Sequence, residues 1–151
     1  MKAKSAALGY YRNVKFQLID AVLERSEERI VAIKNVTSAE EYLADHFPGF
    51  PVLPGVFMLE AMVQAARELL KDQSKVRLVL GNVRALRYGS FVRPGEALQV
   101  EVTREKIHED GSFGMKGTAL VVRSTGVGET AVSGRFTMRP VRIHAAVAAT
   151  H

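Results

Sequence analysis

The chain contains no cysteine. Disulfides, thiolate nucleophiles and cysteine-ligated zinc or iron–sulfur centres are therefore excluded. Histidine is scarce too, and His46, His108, His144 and His151 stand at spacings that match no metal-ligand pattern, so no metal is expected. No apolar run is long enough to span a bilayer, since Arg67 and Glu68 interrupt the longest one. The basic stretch Met1–Leu8 lacks the apolar core of a signal peptide. A soluble, cytosolic protein with no integral membrane association is the expectation. Lysine and arginine outnumber the acids 21 to 16, giving a formal net charge of +5. They form no dense block and do not alternate with aromatics, so nucleic acid is not expected as a partner. The excess positive charge suits an acidic protein surface, or simply solubility.

The 151 residues, 47% hydrophobic and 25% charged, describe one globular domain over 1–151. Its core is expected over about 14–140, with a flexible tail at 141–151. Phe16–Glu24 and Arg29–Thr37 read as a strand hairpin turning at Ser26-Glu27-Glu28. Ser38-Ala39-Glu40-Glu41 reads as a capping box opening a short helical turn to about Leu43. A long helix is predicted from Val56 to about Lys71. Strands follow at 76–88 (with Gly81 a bulge or bend), 97–107, 113–123 and 130–138, joined by Phe91–Glu96, His108–Ser112 and Ser124–Glu129. Successive hairpins make an antiparallel sheet, and an apolar helix between strands is buried only if that sheet curls around it. The predicted class is α+β, a curved antiparallel sheet wrapped on a long central helix.

Proline, five residues in all, is concentrated: Pro48, Pro51 and Pro54 fall within seven residues, alongside Gly49 and Gly55. They make a stiff bent loop that runs straight into the helix, where proline costs nothing because its missing N–H would have been an orphan. Gly55 allows a close approach to the helix mouth. From Val56 the helix is apolar nearly all round except for Glu60, Gln64, Arg67 and Glu68, which form one polar stripe. A carboxylate early in such a helix needs partners or a purpose.

His46 before the rigid loop and Glu60 in the helix supply an imidazole and a carboxyl, the usual equipment for proton transfer near neutral pH. The N–H of Gly55 at the helix N-terminus suits a developing oxyanion. Together these suggest proton abstraction next to a carbonyl with loss of a leaving group. Residue types alone leave blander readings open: a loop histidine at the surface, a glutamate paired with arginine, Gln64 as a supporting hydrogen-bonder, and Phe50, Phe57 and Met58 as core.

The run His46-Phe47-Pro48-Gly49-x-Pro51-x-x-Pro54-Gly55-Val56, followed by Glu60-Ala61-Met62-x-Gln64-Ala65, closely resembles the signature of the (3R)-hydroxyacyl-(acyl carrier protein) dehydratases of the FabZ type, within the FabA/FabZ hotdog family. Leu18-Ile19-Asp20-x-Val22-Leu23, Ile33-Lys34-Asn35-Val36-Thr37 and Phe91-Val92-Arg93-Pro94-Gly95-Glu96 extend the likeness from about Phe16 to about Met138. The resemblance implies a hotdog fold and a homodimer, or a hexamer of three dimers, in which His46 of one subunit meets Glu60 of the other. His46 would be the base, Glu60 the acid and Gly55 the oxyanion donor, with Phe50, Pro54, Val56, Phe57 and Gln64 lining the substrate site. It implies no cofactor, an acidic acyl carrier protein as partner, and a role in fatty acid biosynthesis. Arg84, Arg87 and Arg93 are candidates for the carrier's docking surface. The FabA type carries Asp where Glu60 stands, which favours dehydration without isomerisation. Asp45 replaces the family's usual Gly before the histidine, and Phe50 stands where the family is often small or polar. The alternatives are a hotdog acyl-thioesterase, or a non-catalytic carrier-binding homologue in a specialised lipid or polyketide pathway.

Overall fold

The structure, a computed structural model, describes residues 16–142. The expected tail from Val141 onward is described only as far as Arg142, and the Met1–Leu8 segment lies outside the described residues. Period-two alternation produces the sheet. β1 (Ala21–Arg25) and β2 (Arg29–Asn35) form a hairpin, α1 (Tyr42–Asp45) is a single turn, and α2 (Gly55–Leu70) is the long helix. Then come β3 (Leu78–Tyr88), β4 (Ala97–Ile107), β5 (Phe113–Arg123) and β6 (Gly126–Pro140). All pairings are antiparallel, in the order β1-β2-β4-β5-β6-β3. β3 therefore crosses to the far side, and β1 and β3 are the open edges.

In β4, Leu98, Val100 and Val102 are buried while Gln99, Glu101 and Thr103 are not, as the alternation predicts. The register carries that face across the sheet: Ala32, Val100, Ala119 and Val132 lie in one row, and all are fully buried. The row lies beneath α2, which packs against β2 through β6, so the sheet bends around the helix. On α2, Met58, Ala61, Met62, Val63, Ala65, Ala66, Leu69 and Leu70 are buried, and burying each of the larger side chains is worth about 1.5–3 kcal/mol. Gly117 on β5 sets the spacing, since a Cβ there would come within 2.5 Å of the Met62 sulfur. Among the described residues no helix is long and apolar enough to cross a membrane.

Three boundaries differ most from the sequence reading. Phe16–Asp20 is extended but precedes the strand, because α2 claims its backbone: Leu18 N–H donates to the Gln64 side-chain oxygen (2.8 Å) and the Phe16 carbonyl accepts from the Gln64 amide (3.0 Å). The capping contact falls one residue earlier than expected, with Glu40 accepting from the Thr37 N–H (2.8 Å), and Glu41, the N-cap of α1, makes no side-chain cap. β6 begins at Gly126, not Thr130, with Val127 opposite Val122. Its first five residues are exposed, so no hydrophobic alternation announces them. Gly81 does fall at a bulge, between Leu80 and Val83. The Asp-Gly turn also forms, Asp110 accepting from both the N–H and the hydroxyl of Ser112.

Candidate active site

His46 caps the C-terminal end of α1 and is held on both sides. Its carbonyl accepts from the Val52 N–H (3.0 Å), and its Nδ1 lies 3.1 Å from the Val52 carbonyl oxygen. A carbonyl only accepts, so that bond puts a proton on Nδ1 and makes Nε2 the basic nitrogen of the neutral ring. The ring stacks on Phe47 with centroids 4.5 Å apart. The Pro/Gly loop is tied to the β3–β4 connection by Leu53 N–H donating to the Val92 carbonyl (2.8 Å). Val52, Leu53 and Pro54 are buried, which fixes the loop from below. Asp45 is exposed and lies outside this bonding.

α1 itself is anchored by charge. Lys34 has the same inward parity on β2 as Ile30 and Ala32 and is only 6% exposed. Its ammonium meets Glu40 at 2.5 Å, and Glu40 also accepts from the Tyr42 hydroxyl and the Thr37 N–H. Burial pushes the Glu40 carboxyl up, but Lys34, Tyr42 and the Thr37 N–H together hold it below the usual carboxylate range. Burial and the Glu40 bond raise the Tyr42 hydroxyl well above its ordinary value. The Tyr42 ring packs at 4.7 Å on Phe57, which also meets Phe16 at 4.7 Å. Phe57 is thus engaged in an aromatic cluster joining α1, α2 and the N-terminal segment.

Glu60 lies in the second turn of α2, half-exposed, and accepts from the Gln64 amide (3.2 Å). With Gln64 and Arg67 it lines an open cleft of about 790 Å³ whose other wall is Phe16–Val22. His46 does not line this cleft, and no hydrogen bond joins it to Glu60 among the described residues. Gln64 spends its amide on Phe16, Leu18 and Glu60. Gly55 opens the helix, and its N–H and that of Val56 precede the first intrahelical bond. The close approach that Gly55 permits is made by Tyr88, whose ring atoms would lie 2.8 Å from a Cβ there. Val56 is exposed at the same mouth and Phe50 is exposed on the preceding loop, whereas Pro54 is buried.

The three arginines expected at a docking surface separate. Arg84 and Arg87 lie on β3 at the outer sheet face, where Arg84 stands opposite Arg135 and Arg135 opposite Lys116. Arg93 lies elsewhere, over the Phe50 ring. Sequence reasoning missed Lys34, Glu40, Tyr88 and the Lys116–Arg135 pair. The inward parity of Lys34 is the one signal that was available.

The ApeI-like dehydratase family (ApeI dehydratase) matches residues 22–126. The 3-hydroxyacyl-(acyl-carrier-protein) dehydratase FabZ of Thermotoga neapolitana is 42% identical over 108 residues, covering 70% of this chain and 77% of its own. That of Lactococcus lactis subsp. cremoris is 38% identical over 117 residues, covering 68% and 81%. The chain belongs to the FabZ-type dehydratases. Among solved structures, the dehydratase heterocomplex ApeI:P from Xenorhabdus doucetiae superposes with a TM-score of 0.61 at 14% identity, over 83% of this chain and 99% of that one. An acyl-CoA hydrolase from Bacillus cereus gives 0.62 at 17% identity, over 77% and 67%. The fold is the hotdog fold. Dehydratases and hydrolases share it, so assignment to the FabZ type rests on sequence identity and the fold alone would not make it.

Proposed function

We propose that this FabZ-type chain dehydrates (3R)-hydroxyacyl thioesters carried on acyl carrier protein to the trans-2-enoyl products, in fatty acid biosynthesis in the cytoplasm. The observation that carries the reading is the His46–Val52 bond, which leaves Nε2 as a base on a rigid mount. Nε2 of His46 takes the C2 proton, and the C–H electron pair becomes the C2–C3 double bond. The C3–O bond breaks, and the Glu60 carboxyl gives its proton to the departing hydroxyl, which leaves as water. The Gly55 N–H donates to the thioester oxygen as charge gathers there. His46 and Glu60 come from different subunits of a homodimer. The open β3 edge, paired only with β6, supports this by offering a strand for edge-to-edge joining. The cations on the outer sheet face favour an acidic carrier as the delivering partner.

The test is hydration of a crotonyl thioester, followed by loss of enoyl absorbance. His46→Ala and Glu60→Gln should each lower kcat by at least about a hundredfold. Wild-type rates in both would overturn the assignment. Release of free thiol without hydration would mark a thioesterase instead.

A further inference from the structure

The loop that carries His46 abuts a group of polar residues that the dehydration scheme leaves unused. Arg93 lies between β3 and β4, its guanidinium carbon 4.4 Å from the centroid of the Phe50 ring. Phe91 meets the same ring edge-on at 6.0 Å. The neighbouring charges are spent. Glu96 accepts from the Arg93 backbone N–H (2.8 Å) on one oxygen and from Arg123 Nε (2.7 Å) on the other, and Arg123 also pairs with Glu129. The Arg93 guanidinium makes no ion pair and donates no hydrogen bond among the described residues. With Gly89, Ser90, Phe91, Glu96 and Arg123 it lines a hollow of about 440 Å³. Arg123 is shared between Glu96 and Glu129, so Arg93 is the one cation lining the hollow that makes no ion pair among the described residues.

A guanidinium held against an aromatic ring keeps its N–H edges for a partner, and that fork matches two oxygens of a phosphate. The Ser90 hydroxyl adds a donor. The hollow connects to His46 through the loop. The Phe47 and Phe50 backbones exchange two hydrogen bonds (2.9 and 3.3 Å), and His46 stacks on Phe47. A pantetheine arm, extended from thiol to phosphate, reaches about as far as four residues of chain, roughly 14 Å. We propose that this hollow is the subsite for the phosphate of a phosphopantetheine arm, with Arg93 as its anchor and Phe50 as the platform that orients it. The inference rests on the dehydratase reading, which brings a thioester to His46.

Three crotonyl thioesters separate the possibilities: one on acyl carrier protein, one on coenzyme A, and one on N-acetylcysteamine, which has no phosphate. Arg93→Met should raise KM about tenfold or more on the first two with kcat within about twofold, and leave N-acetylcysteamine kinetics unchanged. Arg93→Lys should recover part of the loss. An equal effect on all three substrates would overturn the subsite. So would an effect confined to the carrier, which would move Arg93 to a protein–protein contact. Calorimetry of phosphopantetheine against pantetheine makes the same comparison without turnover. Wild-type protein should prefer the phosphorylated arm about tenfold, and Arg93→Met should lose that preference. Equal binding by the wild type overturns the subsite. A retained preference in a protein that hydrates none of the esters overturns only the dehydratase reading.

Discussion

Gly55 occupies helical backbone, where alanine is ordinarily better by up to about 1 kcal/mol. Here the ring of Tyr88 fills the space a methyl group would take. Two effects of opposite sign compete, because the half-exposed Tyr88 ring must swing off the helix mouth to admit the methyl group and gives up that contact. Gly55→Ala should therefore bring no gain in stability to the wild type in urea unfolding. In a Tyr88→Ala background the same change should become stabilising, because only the helix-propensity gain remains. Additive effects would show that Tyr88 does not set the requirement for glycine. His46 and Glu60 stand out in the sequence as candidates, because a histidine before a Pro/Gly loop and a carboxylate in a greasy helix are both anomalies that invite an explanation. Tyr88 over Gly55 was not legible, since it joins residues from the helix mouth and a distant strand, and nothing in either local pattern refers to the other. For the same reason Gln64 could be named but not its use in holding Phe16 and Leu18.

At the scale of elements, α1 is a single turn, too short to be stable by itself, and its position depends on the Lys34–Glu40–Tyr42 cluster. Removing Glu40 leaves the buried Lys34 ammonium without its compensating charge. Glu40→Gln should lower the melting temperature at neutral pH for this reason. The pH dependence has a definite sign. The Glu40 carboxyl is held below its ordinary value of 4.5, so its stabilisation is complete above that value and is lost as pH falls through the lower folded one. The melting temperature of Glu40→Gln should then decline less steeply than that of the wild type below about pH 4.5, measured by circular dichroism. Identical acid limbs would remove Glu40 from the account. The limits of elements with one wet face, such as β4, are legible in the sequence, whereas Gly126–Glu129 at the start of β6 are not, because they are wet on both faces. Lys34 was open to discovery by parity alone, since it follows Ile30 and Ala32 at steps of two.

At the scale of the whole molecule, the separation of His46 from the cleft of Glu60 within one chain makes a quantitative prediction about assembly. If each site takes His46 from one subunit and Glu60 from the other, a dimer of one His46→Ala chain with one Glu60→Gln chain has one intact site. Mixing equal amounts of the two inactive variants, unfolding and refolding them together, should restore roughly a quarter of wild-type activity: half the dimers are mixed, and half the sites in each are whole. If both residues acted within one chain, the mixture would stay dead.

The cationic row Lys116–Arg135–Arg84 crosses three neighbouring strands. Like charges directly opposite on neighbouring strands work against the sheet that holds them. Glu105 relieves part of that conflict, its carboxylate 3.0 Å from Arg135 Nε. Arg84 and Lys116 make no ion pair among the described residues, so a partner of opposite sign laid on this face would ease a repulsion the chain otherwise carries by itself.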